Sequence, residues 1–321
     1  MITTVTLNPA VDKVYYIDHF TVNKINRVSE VLAVPGGKGI NVAKVARILG
    51  AEVTASGFLG GTNGWFIEKM LEVEGIRNDF VWVTGDTRET IAVIDRMEQT
   101  QTEMLEPGPI ITERELNVFI EKLTALSQRS KVVSFSGSLP RGLPVDMYVQ
   151  LVQIAQQSGA LTILDSSGES LSKGVKGRPF LCKPNIDELE QLLGSRLNGE
   201  HEIVLAAQNL VGEGVQVVVV SMGKKGAIAV TEHRAWKIEA PSVQWVNTVG
   251  CGDAMVGGIA SYLDRLDSAP SEDDLIQAFI LGTAAGASNA INVTAGQVKQ
   301  EEVDRLKSIV KIERLNVSRF I

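Results

Sequence analysis

Cysteine and histidine are scarce: two cysteines, Cys182 and Cys251, and three histidines in 321 residues. The cysteines form no C-x-x-C pair, so the sequence offers neither a disulfide framework nor a structural zinc site. Aromatic residues make up 5% of the chain, which leaves the core to aliphatic side chains. No apolar run reaches the roughly 18 residues that a membrane-crossing helix needs. There is no dense block of lysine and arginine, and the formal net charge is -7. Nucleic acid is therefore disfavoured as a partner, although a local basic pocket for a small anion is compatible with that charge. The opening M-I-T-T-V-T-L-N-P lacks a basic segment followed by an apolar one and a cleavage site, and reads as a cytoplasmic start without a signal peptide.

What is present is the make-up of a globular protein. Hydrophobic residues account for 44% and charged residues for 21%, enough for a sizeable core and no sign of disorder. The 30 glycines are spread along the chain rather than gathered in a linker, which points to many tight turns. No internal repeat or low-complexity segment appears. The length suits one large α/β domain with an appendage, or two average domains.

The residues 2–7 form a β-branched run stopped by Asn8-Pro9, a buried strand. Segments 15–20 and 26–34 read as strands with no helix between them. Segments 90–95 and 102–106 read as a hairpin around M-E-Q-T-Q, ended by Pro107-Gly108-Pro109. Together, 13–34 and 87–106 predict one small antiparallel sheet projecting as a lid. Elsewhere helices and strands alternate, as a parallel sheet requires. Helices are expected at 41–49, 64–74, 112–127, 145–158, 186–193 and 203–211, with strands at 53–59, 79–83, 132–136, 160–165, 180–183 and 215–221. The last of these strands, V-Q-V-V-V-V-S, has the continuous apolar character of a strand buried on both faces. An antiparallel edge follows at 227–231 and 235–238, then helices to 263, over 273–291 and over 301–310. Residues 316–321 carry no readable pattern.

In an open parallel sheet, ligands bind beyond the C-terminal ends of the strands. Polar or glycine-rich residues gather at seven such places: Asp12, Gly57, Gly137-Ser138, Asp165, Lys183 to Asn185, Ser221 to Gly223, and Gly250 to Asp253. N-T-V-G-C-G-D at 247–253 combines a Gly-x-Gly turn, a carboxylate and the start of a helical pattern. Free N–H groups and the positive end of a helix dipole would converge there and attract an anion. A carboxylate beside an anion serves binding poorly but serves phosphoryl transfer well, as the base for an attacking hydroxyl. Asp253 reads equally as an ordinary first-turn acid. Asn185 and Glu188 read either as a capping box or as part of a Mg²⁺ site through water. Gly36-Gly37-Lys38-Gly39-Ile40-Asn41 is either a flexible loop or a close approach to a sugar or phosphate. No G-x-x-x-x-G-K-[ST] occurs, and the glycines at 250 and 252 do not extend to G-x-G-x-x-G, so P-loop and dinucleotide folds lose support.

Six motifs in order, N-P-A-V-D at 8–12, G-G-K-G-I-N at 36–41, S-G-S-L-P at 136–140, K-P-N-I-D-E-L at 183–189, S-M-G-K-K-G-A at 221–227 and G-C-G-D at 250–253, resemble those of the PfkB (ribokinase-like) carbohydrate kinases. The resemblance spans nearly the whole chain. It implies one ribokinase-like domain over 1–321: an α/β three-layer sandwich with a central mostly parallel sheet and a small antiparallel β lid that forms a homodimer contact. It implies ATP and Mg²⁺ as cofactors and transfer of the γ-phosphoryl group to a ketohexose phosphate.

Carried over by position, Asp253 is the general base, with Gly250, Cys251 and Gly252 supplying anion-hole amides. Asp12, Gly37 and Asn41 hold sugar hydroxyls, while Arg27, Lys38, Arg88 and Ser138 surround the substrate and its phosphate. Lys183, Asn185, Ser221, Gly223 and Gly226 line the nucleotide, and Glu188 orders the waters of Mg²⁺. Two positions depart from the family pattern. Cys251 replaces the usual Ala or Ser, so oxidation sensitivity is expected. Asn247 replaces an Asp that helps bind a monovalent cation in ribokinases, so K⁺ activation is not expected. The branch most resembled holds 1-phosphofructokinase, tagatose-6-phosphate kinase and the minor 6-phosphofructokinase. P-G-G-K-G-I-N, N-T-V-G-C-G-D and V-K-I-E-R-L resemble the 1-phosphofructokinases and make fructose 1-phosphate, converted to the 1,6-bisphosphate, the expected substrate; N-R-V-S-E-V, T-R-E-T-I-A-V and T-E-M-L-E-P-G-P point to tagatose 6-phosphate as the alternative, with fructose 6-phosphate a further one. A non-catalytic sugar-phosphate sensor is the contrasting class, disfavoured by the intact Asp253.

Overall fold

The computed structural model describes residues 1–315; the segment 316–321 lies outside the described residues. The strands are β1 (Ile2–Thr6), β2 (Ala10–Ile17), β3 (Glu30–Gly36), β4 (Val53–Leu59), β5 (Arg77–Asn78), β6 (Val81–Trp82), β7 (Arg88–Asp95), β8 (Thr100–Leu105), β9 (Val132–Ser136), β10 (Leu161–Asp165), β11 (Leu181–Cys182), β12 (Val217–Ser221), β13 (Ala227–Val230), β14 (Ala235–Glu239) and β15 (Lys311–Leu315). The helices are α1 (Lys38–Ile48), α2 (Gly61–Val73), α3 (Glu113–Ser127), α4 (Met147–Gln157), α5 (Gly168–Gly174), α6 (Ile186–Leu193), α7 (Glu200–Gly212), α8 (Cys251–Leu263), α9 (Glu272–Ile291) and α10 (Gln300–Lys307).

The large sheet runs β15-β14-β13-β12-β11-β10-β9-β1-β4-β5, with β6 paired to the far end of β4. It is parallel from β12 to β5 and antiparallel from β12 to β15. The run V-V-V-V in β12 shows how the sequence builds three layers. Val217 and Val219 enter one core, while Val218 and Val220 enter the other, because successive side chains in a strand point to opposite faces. Each contributes about 1.5–3 kcal/mol relative to an exposed valine. Apolar stripes from α1, α2, α8 and α9 cover the first face. Those of α3, α4, α6 and α7 cover the second.

The lid is a separate sheet of order β3-β2-β7-β8. Its outer pairs, β2 with β3 and β7 with β8, are antiparallel, and the seam between β2 and β7 is parallel. Asn8-Pro9 carries the chain from β1 into β2, and Gly37 alone separates β3 from α1. The lid is therefore anchored at both ends to the edge where a site would form.

Several boundaries differ from those expected. The first lid strands lie at 10–17 and 30–36 rather than 15–20 and 26–34. Between them the polar groups turn inward: Asp95 accepts hydrogen bonds from the N–H groups of His19 (3.1 Å) and Phe20 (2.6 Å), and Asn26 bonds both the N–H and the carbonyl of Thr21 at 2.9 Å. With those groups satisfied locally, the segment leaves the ladder. The expected strand at 79–83 is replaced by two short pieces, β5 and β6. Helix α5 escaped notice because G-E-S-L-S-K-G buries only Leu171 and Gly174, too few to show a period. Strand β15 also escaped it: K-I-E-R-L is polar because it sits at the sheet edge, yet all five residues pair with β14.

Candidate active site

The end of β10 places Asp165, fully buried, at the centre of a charge cluster. Lys38, the first residue of α1, puts Nζ 2.9 Å from Asp165 Oδ1 and 3.8 Å from Glu188 Oε1. Lys183, just beyond β11, puts Nζ 3.2 Å from Asp165 Oδ2. The Lys183 side chain is 4% exposed and that of Lys38 35%, so one cation is sealed in and the other opens to solvent. Burial opposes the Asp165 charge, but Lys183 and Lys38 outweigh it and hold the carboxyl below the usual carboxylate range. Burial likewise opposes the Lys38 charge, and Asp165, Asp253 and Glu188 overcome it, keeping the amine protonated above its ordinary range. The Gly137 N–H donates to the Asp165 carbonyl at 2.9 Å, which fixes the S-G-S-L-P turn beside this cluster.

Helix α8 opens directly against it. Gly250 caps the helix with φ 82°, in the left-handed region, where a Cβ would also lie 2.7 Å from Ala295 Cβ. A Cβ on Gly252 would lie 3.1 Å from Lys183 Nζ, so the glycine lets the helix start approach the lysine. Among the described residues the N–H groups of Gly252 and Asp253 have no hydrogen-bond acceptor, as the first turn of a helix leaves them. These donors, Lys38 and Lys183 form a positive rim suited to phosphate oxygens.

Asp253 is 6% exposed and accepts a hydrogen bond from Asn41 Nδ2 at 2.8 Å. Its carboxyl is raised to about 6, first by burial and next by the Asp165 charge, with Lys38, Asn41 and Lys183 opposing. That value suits a base that is ionised at neutral pH yet able to take a proton. Cys251 accepts a long contact from Asn289 Nδ2 at 3.5 Å, and burial pushes its thiol up. A raised thiol carries less of the thiolate form through which cysteine is oxidised. Asn247 donates from Nδ2 to the Val293 carbonyl at 2.8 Å and accepts from the Val249 N–H at 2.9 Å, so its amide closes the loop on itself.

Asn185 and Glu188 form a full capping box on α6, with bonds of 2.7 and 2.8 Å. The same Glu188 carboxylate turns its other oxygen towards Lys38, so capping and a position beside the cluster coexist. Asn185 bridges to Ser221 across the strand ends, and the Ser221 N–H donates to the Pro184 carbonyl at 2.9 Å. Gly223 sits in the 3-10 turn that follows. Gly226 has a structural reason of its own: φ is 93°, and a Cβ would fall 1.9 Å from the Ile238 carbonyl oxygen. Among the described residues no three His, Cys, Asp or Glu side chains are grouped so as to hold a metal ion by themselves. A metal carried on nucleotide phosphates and reached through water by Glu188 fits this arrangement better than a protein cage.

The substrate candidates divide. Asp12 lies within lid strand β2, not beyond a strand of the large sheet as expected, because β2 starts immediately after Pro9. Its carboxylate accepts from Thr90 Oγ1 and is raised by burial. Gly37, at the hinge between lid and α1, packs against Thr6 and Pro9. Arg88 donates from Nε to the Asn8 carbonyl and from Nη1 to the Glu106 carbonyl, each at 3.2 Å, and Asn8 Nδ2 lies 3.4 Å from Ser138 Oγ. Arg27 is not on a strand, contrary to expectation; it is exposed in the loop between β2 and β3, away from this cluster. Asp165 was legible only as an acid ending a strand; its pairing with two distant lysines had no sequence signal.

Over residues 5–298 the chain matches the model of the pfkB family carbohydrate kinases. The chain belongs to the PfkB family. It is a carbohydrate kinase by that membership, a phosphotransferase with an alcohol acceptor. A tagatose-6-phosphate kinase from Staphylococcus epidermidis is 39% identical over 317 residues, covering 98% of this chain and 100% of that one. Among solved structures, phosphofructokinase-2 from Escherichia coli in complex with potassium superposes with a TM-score of 0.88 at 29% identity, covering 96% of this chain and 98% of that one. A Thermotoga maritima protein described as a possible 1-phosphofructokinase gives 0.85 at 30% identity, covering 98% and 100%. The fold is the ribokinase-like sandwich with its lid.

Proposed function

We propose that the chain transfers the γ-phosphoryl group of ATP to a primary hydroxyl of a ketohexose phosphate. The observation that carries this reading is Asp253: a buried carboxylate, oriented by Asn41 and raised to about 6, set at a helix start with free N–H donors. Asp253 takes the hydroxyl proton as the oxygen attacks. Gly250 and Gly252 present backbone amides to the charge that develops on the transferred group, and the Cys251 N–H, which otherwise reaches the Thr248 carbonyl at 3.4 Å, joins them. Lys38 and Lys183 add positive charge on either side of it. Asn185, Ser221, Gly223 and Gly226 shape the nucleotide channel. Glu188 would hold Mg²⁺ through water, and the ion would supply neutralisation of the triphosphate charge. Asp12, Gly37 and Asn41 position sugar hydroxyls, and Arg88 and Ser138 face the existing phosphate. A pure sugar-phosphate sensor would gain nothing from a base held in this state.

The full-length identity to a tagatose-6-phosphate kinase supports tagatose 6-phosphate as the preferred acceptor. The motifs favouring fructose 1-phosphate and the Thermotoga neighbour support a second reading with that substrate. Initial rates with tagatose 6-phosphate, fructose 1-phosphate and fructose 6-phosphate under ATP and Mg²⁺ decide between them. Highest kcat/KM for tagatose 6-phosphate is the expected result. No transfer to any of the three overturns the kinase reading.

The same proposal includes a homodimer through the lid and a cytoplasmic setting. The lid and its loops expose Val22, Ile25, Val31, Met97 and Leu105, at 59–89% of their full surface, an apolar face of the kind that marks an interface. Arg27 lies on the loop that such a contact would cover. A monomer by light scattering at micromolar concentration would remove this part of the proposal. Among the described residues no helix is long and apolar enough to cross a membrane.

A further inference from the structure

The turn Pro107-Gly108-Pro109 has no place in the chemistry described so far, yet two arginines are tied to it. Arg141, just beyond the S-G-S-L-P motif, donates from Nε (3.2 Å) and Nη2 (2.8 Å) to the Gly108 carbonyl. Arg88 donates to the Glu106 carbonyl two residues earlier. The turn itself is fixed, because Asn8 Nδ2 donates to the Pro107 carbonyl at 3.3 Å and a Cβ on Gly108 would fall 2.2 Å from Asn8 Oδ1.

Both arginines line one open cavity of about 660 Å³. Neither forms an ion pair among the described residues. Their tethers leave Nη2 of Arg88 and Nη1 of Arg141 unused. Burial lowers Arg88 from its ordinary value, with the Asp12 and Glu106 charges opposing. Three carboxylates share the wall. Glu89 is neutralised by Lys13 at 2.7 Å, and Glu106 accepts the Glu89 N–H at 2.8 Å. Asp86 lies beside Gly61, where a Cβ would collide with its carboxylate.

We infer that Arg141 is a specificity-determining residue, which with Arg88 grips the phosphate already present on the sugar. The inference rests on the kinase reading above and adds to it a residue that the motifs did not single out. Two guanidiniums tethered to one turn each keep one nitrogen unused beside the same cavity, and charge-assisted bonds from arginine suit a phosphate dianion. The lid connects the base to this grip: Asp253 accepts from Asn41, whose N–H donates to the Gly37 carbonyl at 3.1 Å, and Gly36 beside it pairs with Ala10, which pairs in turn with Arg88.

The test compares Arg141→Ala with wild type on a ketohexose phosphate and on the same ketohexose without phosphate. Loss of a charge-assisted hydrogen bond lowers kcat/KM for the sugar phosphate about tenfold or more relative to the unphosphorylated sugar. Inorganic phosphate, used as a competitive inhibitor against the sugar phosphate, weakens by a similar factor. Arg141→Lys, which keeps the charge and loses the double bond to Gly108, recovers part of both effects; urea unfolding of each variant separates binding from folding. A ratio within about twofold of wild type overturns the role of Arg141 while leaving the kinase reading intact. A wild-type protein that phosphorylates no ketohexose phosphate removes the reading on which it rests.

Discussion

Replacing Asp165 by asparagine removes the charge that two lysines share, and its consequences can be worked out from the geometry. Lys183 Nζ, 3.2 Å from the carboxylate on a side chain 4% exposed, cannot rehydrate when its partner is lost. Breaking a buried pair in this way costs about 3–5 kcal/mol. Lys38, with 35% of its side chain exposed, turns to water and adds little. The lower end, about 3 kcal/mol, is therefore expected, a large share of the roughly 5–15 kcal/mol that holds a typical protein folded. Urea unfolding near pH 7.5 measures it as a lower midpoint at unchanged slope.

The sign of the pH dependence provides a second readout. Asp165 is depressed in the folded state, so its stabilisation is present above the ordinary carboxylate pKa and is lost as pH falls through the lower native value. The gap between wild type and Asp165→Asn should close in acid. The Asp165 charge also raises Asp253, so the acid limb of any remaining activity should move below the wild-type value of about 6. A stability loss under about 1 kcal/mol at pH 7.5, or an acid limb that moves upward, would refute the charge arrangement.

Other expectations follow from single contacts. Cys251 contributes its backbone, so Cys251→Ala should keep kcat within about threefold, and its half-buried thiol, raised above the ordinary value, should react with iodoacetamide more slowly than free cysteine; rapid alkylation would contradict that shift. Because Asn247 already occupies the Val293 carbonyl, exchanging K⁺ for tetramethylammonium should change kcat/KM by less than about twofold, and a steep K⁺ activation curve would show that a cation displaces the amide. Gly226→Ala forces a side chain into left-handed backbone against the Ile238 carbonyl, and should lower stability by about 2 kcal/mol or more. An unchanged denaturation midpoint would leave that glycine without its structural reason.

The layers were readable where periodicity is strong. The 53–59 and 132–136 strands and the 186–193 helix stand where the pattern put them, and the β12 run does so from 217 onward, because the strands are short runs buried on both faces and the helix has a one-sided apolar stripe. The lid loop was not readable: Val28 belongs to the run 26–34 that reads as a strand, and the Asp95 carboxylate that turns the backbone at Phe20 lies 75 positions away along the chain. At the site, glycine turns and acids at strand ends marked Lys38, Asn41, Lys183, Glu188 and Asp253, which the fold brings around one point. Spacing carries no information on which acid meets which lysine, so the central position of Asp165 emerged only in three dimensions. Arg141 was hidden for a related reason: its meaning comes from the Gly108 carbonyl and from Arg88, all on separate segments.

The most direct measurement is the turnover of Asp253→Asn with ATP, Mg²⁺ and the preferred ketohexose phosphate, beside sugar-phosphate affinity from calorimetry. Asparagine keeps the shape and cannot take a proton. Turnover is predicted to fall about thousandfold or more, within the range supplied by a general base, with sugar-phosphate affinity largely retained. Near-normal turnover in that variant would contradict the assignment of Asp253 as the base, and with it the central account of this site.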